Sequence, residues 1–216
     1  MLTSFRTATA IARRTALAGG LAMALSGGHA VAGDAVSSDQ ILNALTAKPR
    51  VTRSMAAPQP DPAAAAAESK FITSLRNRPT RSLSLTERDE IATIARGKPN
   101  IDLEITFDYN SADVSAKALP QVEALGKALS DPTLKGATFV VAGYTDATGG
   151  ETYNQDLSER RADSIKHMLV EKYGVTAADL VTVGYGKTRL KNPDNPTDPA
   201  NRRVQVVTMA DKTPAQ

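Results

Sequence analysis

The chain of 216 residues contains no cysteine and no tryptophan. Without cysteine there is no disulfide, no thiolate metal site, no cysteine nucleophile and no N-terminal cysteine to carry a lipid. Five tyrosines and four phenylalanines are the whole aromatic content, too few for a platform on which single-stranded nucleic acid could stack. Histidine is scarce as well, and His167 is the only one beyond residue 32. A Ser-His-Asp triad or a His-rich metal centre therefore has almost no material. Gly143, Gly149 and Gly150 lack the spacing of phosphate-cradling loops. Carboxylates are plentiful, so composition alone does not exclude a two-carboxylate glycosidase, but no pair stands out at the end of a strand. The loop Asp194 to Asp198 has the acids of a Ca²⁺ site, yet its prolines suit a solvated turn better. Excess positive charge is also missing in effect. The formal net charge of +3 falls to zero once Arg6, Arg13 and Arg14 are set aside, so the basic pI is no sign of a nucleic-acid partner.

Those three arginines introduce an N-terminal secretory signal. They precede a short apolar run from Ala16 to Leu25, and Ala30-Val31-Ala32 fits a cleavage site before Gly33. The run is too short to span a bilayer. Residues 1–32 are thus expected to be a signal peptide, with an uncleaved anchor as the alternative, and the mature protein to lie outside the cytoplasm. The Arg13-Arg14 pair leaves the twin-arginine route open beside the general one.

Residues 33–98 are expected to form a flexible, mostly irregular extension. Ser37 to Gln40 has capping-box spacing before Ile41, Leu42 and Leu45. Pro49, Pro58, Pro60 and Pro62 then break the pattern, and Ala63 to Ala67 are low in complexity. Thr86 to Asp89 is placed as the cap of a second short helix, with Ile91, Ile94 and Ala95 as its apolar face and Gly97 as its stop. Residues 48–98 carry ten basic and five acidic side chains. Two readings are open: solubility of a linker, or contact with an anionic surface such as lipid headgroups. The segment is too short for a membrane barrel.

From Asn100 the pattern is regular. Ile101, Leu103, Ile105 and Phe107 alternate on one face of a strand. A helix over 115–129 follows, its first turn bent or delayed by Pro120. Thr138 to Ala142 is a continuous apolar run, as in a central strand. A long helix ends near Tyr173-Gly174, and strands over 180–183 and 203–209 close the order β-α-β-α-β-β. This is an α/β fold, a single sandwich of helices on one sheet.

The junction after the central strand concentrates the chemistry. Gly143-Tyr-Thr-Asp146 leads through a polar turn into the long helix, where Leu157, Arg161, Ile165 and Leu169 share a face. A guanidinium in an apolar stripe is costly unless an anion meets it. Asp146 and Arg161 suit a zwitterion, ammonium on the acid and carboxylate on the base. They equally suit an ion pair within the fold, and spacing alone does not choose. His167 falls away from this face and reads as a solvated side chain.

These residues resemble a family. Phe107-Asp-Tyr-Asn-Ser-Ala112, Gly143-Tyr-Thr-Asp146, Gly149, Tyr153-Asn154, Leu157-Ser158, Arg161-Ala162, Gly184-Tyr-Gly186 and Asn201-Arg-Arg-Val204 look like the motifs of OmpA-like peptidoglycan-binding domains, in the family's order. The resemblance covers about residues 99–211, leaving 212–216 as a tail. It implies a two-layer sandwich of the OmpA C-terminal kind and a non-enzymatic periplasmic module, associated with the outer membrane and the cell envelope, with no cofactor and no metal. It also implies that peptidoglycan is bound through diaminopimelate, its ammonium on Asp146 and its carboxylate on Arg161. Thr145, Asn154, Asp108 and Asn110 are expected to shape the pocket, with Arg202 as a further candidate and Arg160 in solvent. Relatives anchor themselves by an eight-stranded barrel or a lipidated cysteine, and this sequence has neither. Attachment to the outer membrane is therefore expected through a protein partner or a surface contact of residues 33–98. An envelope scaffold or adaptor, with wall binding secondary, is the alternative function.

Overall fold

The structure, a computed structural model, describes residues 36–46, 62–107 and 111–210. The expected signal peptide, the proline cluster around 49–60, Asp108, Asn110 and the tail lie outside the described residues. Helices α1 (Ser38–Thr46), α2 (Pro62–Ser74) and α3 (Leu85–Ala95) come first. Strand β1 (Asn100–Leu103), helix α4 (Leu119–Leu129), strand β2 (Thr138–Gly143), helix α5 (Glu151–Tyr173), and strands β3 (Leu180–Gly184) and β4 (Val204–Ala210) follow.

The expected α/β class and strand–helix order hold from Asn100 onward. The sheet runs β1-β4-β2-β3. β4 is antiparallel to both its neighbours, whereas β2 and β3 are parallel. β2 is central and buried along its whole length, which is why its sequence is continuously apolar rather than alternating. β1 is shorter than the alternating run, ending at Leu103. Ile105 is still buried in the same cluster, and Phe107 returns to pair with Val114 in an isolated bridge. Pro120 sits in the first turn of α4, preceded by a 3-10 turn at Ala116–Ala118. That is the delayed start its missing N–H and fixed φ impose.

Alternation sorts the side chains between two cores. Leu103, Phe139, Val141, Leu180, Val204 and Val206 face α4 and α5, and Ile41 and Leu45 of α1 join them. Val140, Ala142, Val181, Val183, Val207 and Met209 point the other way and meet Ile72, Leu75, Leu83 and Ile91. Here the structure departs from the sequence reading. Residues 62–98 are not a mostly irregular extension beside a two-layer sandwich but a third layer on the sheet's second face. The α3 cap also lies two residues earlier than placed. Ser84 is the N-cap, and Ser84 and Glu87 form a complete capping box. At α1 the capping box is as expected, with Ser37 N to Gln40 Oε1 at 2.9 Å and Gln40 N to Ser37 Oγ at 3.2 Å.

Polar ties bind the added layer. Arg88 pairs with Glu159 of α5 at 3.2 Å, with side-chain exposures of 15% and 8%. The Thr80 hydroxyl hydrogen-bonds both Asp163 of α5 and Thr182 of β3. The basic side chains of this segment are largely matched by acids. Arg76 pairs with Asp179, Arg78 with Glu87, Arg81 with Asp156 and Lys98 with Glu68.

Two glycines set how closely α5 lies on the sheet. Gly143 and Gly184 are register partners on β2 and β3. A Cβ at Gly184 would stand 2.6 Å from both the Glu159 backbone nitrogen and the Ser158 hydroxyl, and one at Gly143 would meet the Ser158 carbonyl. The helix therefore rests on bare backbone one turn before Arg161. Gly184→Ala is expected to cost about 1–3 kcal/mol in urea denaturation, the usual range for overpacking a tight site.

Candidate functional site

The polar turn after β2 is pinned from three sides. Tyr144 N donates to Arg203 O at 3.0 Å, Thr145 N to Gly186 O at 2.9 Å and Ala147 N to Pro196 O at 2.9 Å. Asp146 sits in the middle of this run and is 9% exposed. Its Oδ1 accepts from Thr148 N at 3.0 Å and its Oδ2 from Arg202 Nη1 at 2.6 Å. Burial pushes the Asp146 carboxyl up, but the bonds from Arg202 and Thr148 outweigh it and hold it below the usual carboxylate range. The group is an anion at neutral pH. The stability it contributes is complete above its ordinary value of 3.8 and is lost only as pH falls through the lower folded value.

Asn154 shapes the turn from within. It is buried, and its Nδ2 donates to Thr148 O at 2.9 Å and Gly150 O at 3.0 Å. Thr145 is buried too, and its hydroxyl has no hydrogen-bond partner among the described residues. The tyrosines of the two Gly-Tyr motifs pack rather than point to a ligand. Tyr144 and Tyr185 stack at 5.3 Å between ring centroids, and Arg203 lies 3.8 Å from the Tyr144 centroid. Burial raises the Tyr144 phenol to about 12.

Arg161 occupies its predicted place on α5, between Leu157 (6% exposed) and Ile165 (0%). The guanidinium lies over the Phe107 ring at 4.7 Å, and Nε donates to Ser111 O at 3.2 Å. Among the described residues, no carboxylate comes within 4.0 Å of it. Burial draws its pKa down; Tyr153 and Asp146 act in the opposite sense, while Arg202 and Arg160 add to the lowering. Arg160 turns away and pairs with Asp156 at 2.8 Å.

Arg202 is better placed than its sequence motif suggested. Asn201 is fully buried, with its Nδ2 donating to Asn195 O at 3.0 Å and Pro196 O at 3.1 Å and its Oδ1 accepting from Asn192 N at 2.8 Å. The Pro- and Asp-rich loop is thus organised around one amide, and Asp198 caps its last turn by accepting from Ala200 N at 2.8 Å. The chain leaves that turn with Arg202 aimed at Asp146. Arg202 and Arg161 also line one cleft of about 220 Å³, together with Phe107, Glu104, Thr106 and Pro199. The structure therefore brings Asp146, Arg161 and Arg202 into one neighbourhood, with Thr145 and Asn154 in the supporting turn. The Asp146–Arg202 pair was not readable from spacing, because the two are 56 positions apart in the chain.

Comparison with known proteins agrees with the motifs. Residues 106–204 match the OmpA family. The chain is 37% identical over 103 residues to the "Peptidoglycan-associated lipoprotein" of Legionella pneumophila, covering 47% of this chain and 57% of that one. It is 34% identical over 109 residues to the "Outer membrane porin F" of Pseudomonas aeruginosa, covering 49% of this chain and 30% of the porin. The crystal structure of the peptidoglycan-associated lipoprotein from Burkholderia pseudomallei is 25% identical, with a TM-score of 0.40, over 48% of this chain and 86% of that one. The chain thus spans about a third to just over half the length of these two curated relatives.

Proposed function

We propose that this domain is a non-catalytic binding module for peptidoglycan, acting in the periplasm at the cell envelope. It recognises the side chain of diaminopimelate, with the carboxylate on Arg161 and the ammonium on Asp146. One observation carries the reading. Arg161 is a half-buried guanidinium in an apolar stripe, steadied by Phe107 and Ser111, with no acid from the described fold to neutralise it. A carboxylate ligand supplies what the fold does not, and a charge-assisted hydrogen bond contributes on the order of 1.5–3 kcal/mol. The family match and the name of the Legionella relative, a peptidoglycan-associated lipoprotein, support peptidoglycan as the partner.

The adaptor alternative finds less support. Ile41 and Leu45 of α1, Ile72 of α2 and Ile91 of α3 are buried in the two cores. Those four side chains are not free to dock on a partner.

Lysine equals diaminopimelate without its side-chain carboxylate, so wall chemistry tests the assignment. The full chain is expected to sediment with insoluble peptidoglycan of the diaminopimelate type and to stay largely in the supernatant with the lysine type. Equal sedimentation with both would overturn the role of Arg161.

A further inference from the structure

The acid that the proposed function gives to the ligand's ammonium is not free. Asp146 Oδ2 is held by Arg202 Nη1 at 2.6 Å, and the carboxylate side chain is only 12% exposed. Its other oxygen is committed to Thr148 N. Arg202 differs from its partner in being half exposed, at 47%. It is joined to the rest of the fold by its backbone, whose N–H donates to Pro199 O at 2.9 Å. Beyond Asp146, no other carboxylate of the described residues lies within ion-pair distance of Arg202. The same guanidinium lines the cleft in which Arg161 waits.

We propose that Arg202 is an exchangeable counter-ion. It occupies Asp146 while the site is empty, yields that carboxylate to the ligand's ammonium, and turns into the cleft to become a second cation for the ligand's carboxylate beside Arg161. The inference rests on the proposed function and adds a specificity rule to it. Ammonium and carboxylate on one carbon are rewarded together, because the first releases the arginine that the second recruits. A ligand with an amine alone must displace Arg202 without giving it a new partner. A ligand with a carboxylate alone leaves Arg202 on Asp146. Exchange is feasible because Arg202 is half exposed, because the ligand's ammonium replaces the charge that Arg202 withdraws, and because arginine's long side chain is flexible.

The test is an NMR titration of the ¹⁵N-labelled full chain with three small probes: meso-diaminopimelate, pimelate and 1,5-diaminopentane. In the wild type, meso-diaminopimelate is expected to shift the Nε–Hε signals of both Arg161 and Arg202, and to bind more tightly than either partial analogue. In Arg202→Ala, 1,5-diaminopentane is expected to bind about two- to fivefold more tightly, since its competitor is gone. Pimelate is expected to bind no more tightly than before, and the advantage of the zwitterion is expected to shrink about tenfold, the value of one charge-assisted contact. An Arg202 signal that stays put while Arg161 moves would overturn the exchange and leave the peptidoglycan reading standing. So would equal weakening of all three probes by Arg202→Ala. If meso-diaminopimelate moves neither arginine, the peptidoglycan reading fails and the exchange fails with it.

Discussion

Arg161→Leu is expected to fold at least as stably as the wild type and to lose binding to peptidoglycan. The stability half follows from what surrounds the side chain. Leu157 and Ile165 flank it one turn either way on α5, and burial already lowers the guanidinium's pKa. A cation removed from water without an acid partner is a cost carried by the folded state. Leucine matches the stripe, has a better place in a helix interior than a desolvated charge, and forfeits the contacts to Phe107 and Ser111. Thermal unfolding should therefore show an unchanged or higher Tm. The binding half should be a loss of at least about tenfold, the low end for a charge-assisted contact. An arginine kept for structure gives the opposite result: Arg161→Leu would lower Tm and leave sedimentation with the wall intact. Functional sites commonly carry such a local stability cost.

Glu159→Ala is expected to be the most damaging substitution away from the site. Glu159 is 8% exposed at its side chain and accepts from Arg88 at 3.2 Å and from Gln155 at 2.7 Å. Arg88 in turn donates to Leu83 O at 2.8 Å, and its Nε is already buried without a partner. Removing the acid strands a buried cation, which costs about 3–5 kcal/mol in comparable cases. For a domain of this size that lowers Tm by roughly 2–4 °C for each kcal/mol. The double variant Glu159→Leu with Arg88→Met should recover much of the loss, because two apolar groups of similar volume need no solvation. A small effect of Glu159→Ala, under about 1 kcal/mol, would mean that the third layer is only loosely attached. The pair joins α3 to α5, so the same experiment asks whether residues before 99 belong to the folded unit.

The strands and helices after Asn100 were legible from a period of two or 3.6 or, for β2, from a continuous apolar run, and Arg161 stood out by breaking a helical stripe. The layer over 62–98 was hidden by composition. Ala63 to Ala67 look like filler, and the sheet-facing residues Ile72, Leu75, Leu83 and Ile91 are too far apart to form a periodic run. Only the second face of the sheet, equally apolar, called for a cover. Val140, Ala142, Val181, Val183 and Val207 needed burial on that side, and the uninterrupted run over 138–142 was the available signal. At the site, Asp146 and Arg161 could be read from strand exit and helix face. Arg202 could not be ranked, since its reach depends on a loop folded around the Asn201 amide.

If Arg161 and Asp146 are held for a ligand rather than for the fold, each is dispensable for folding and necessary for binding. Sedimentation of Arg161→Leu and Asp146→Ala with insoluble diaminopimelate-type peptidoglycan, each first shown folded by circular dichroism, tests this most directly. Both variants should remain in the supernatant under conditions that pellet the wild type. Folded variants that pellet as the wild type does would contradict it.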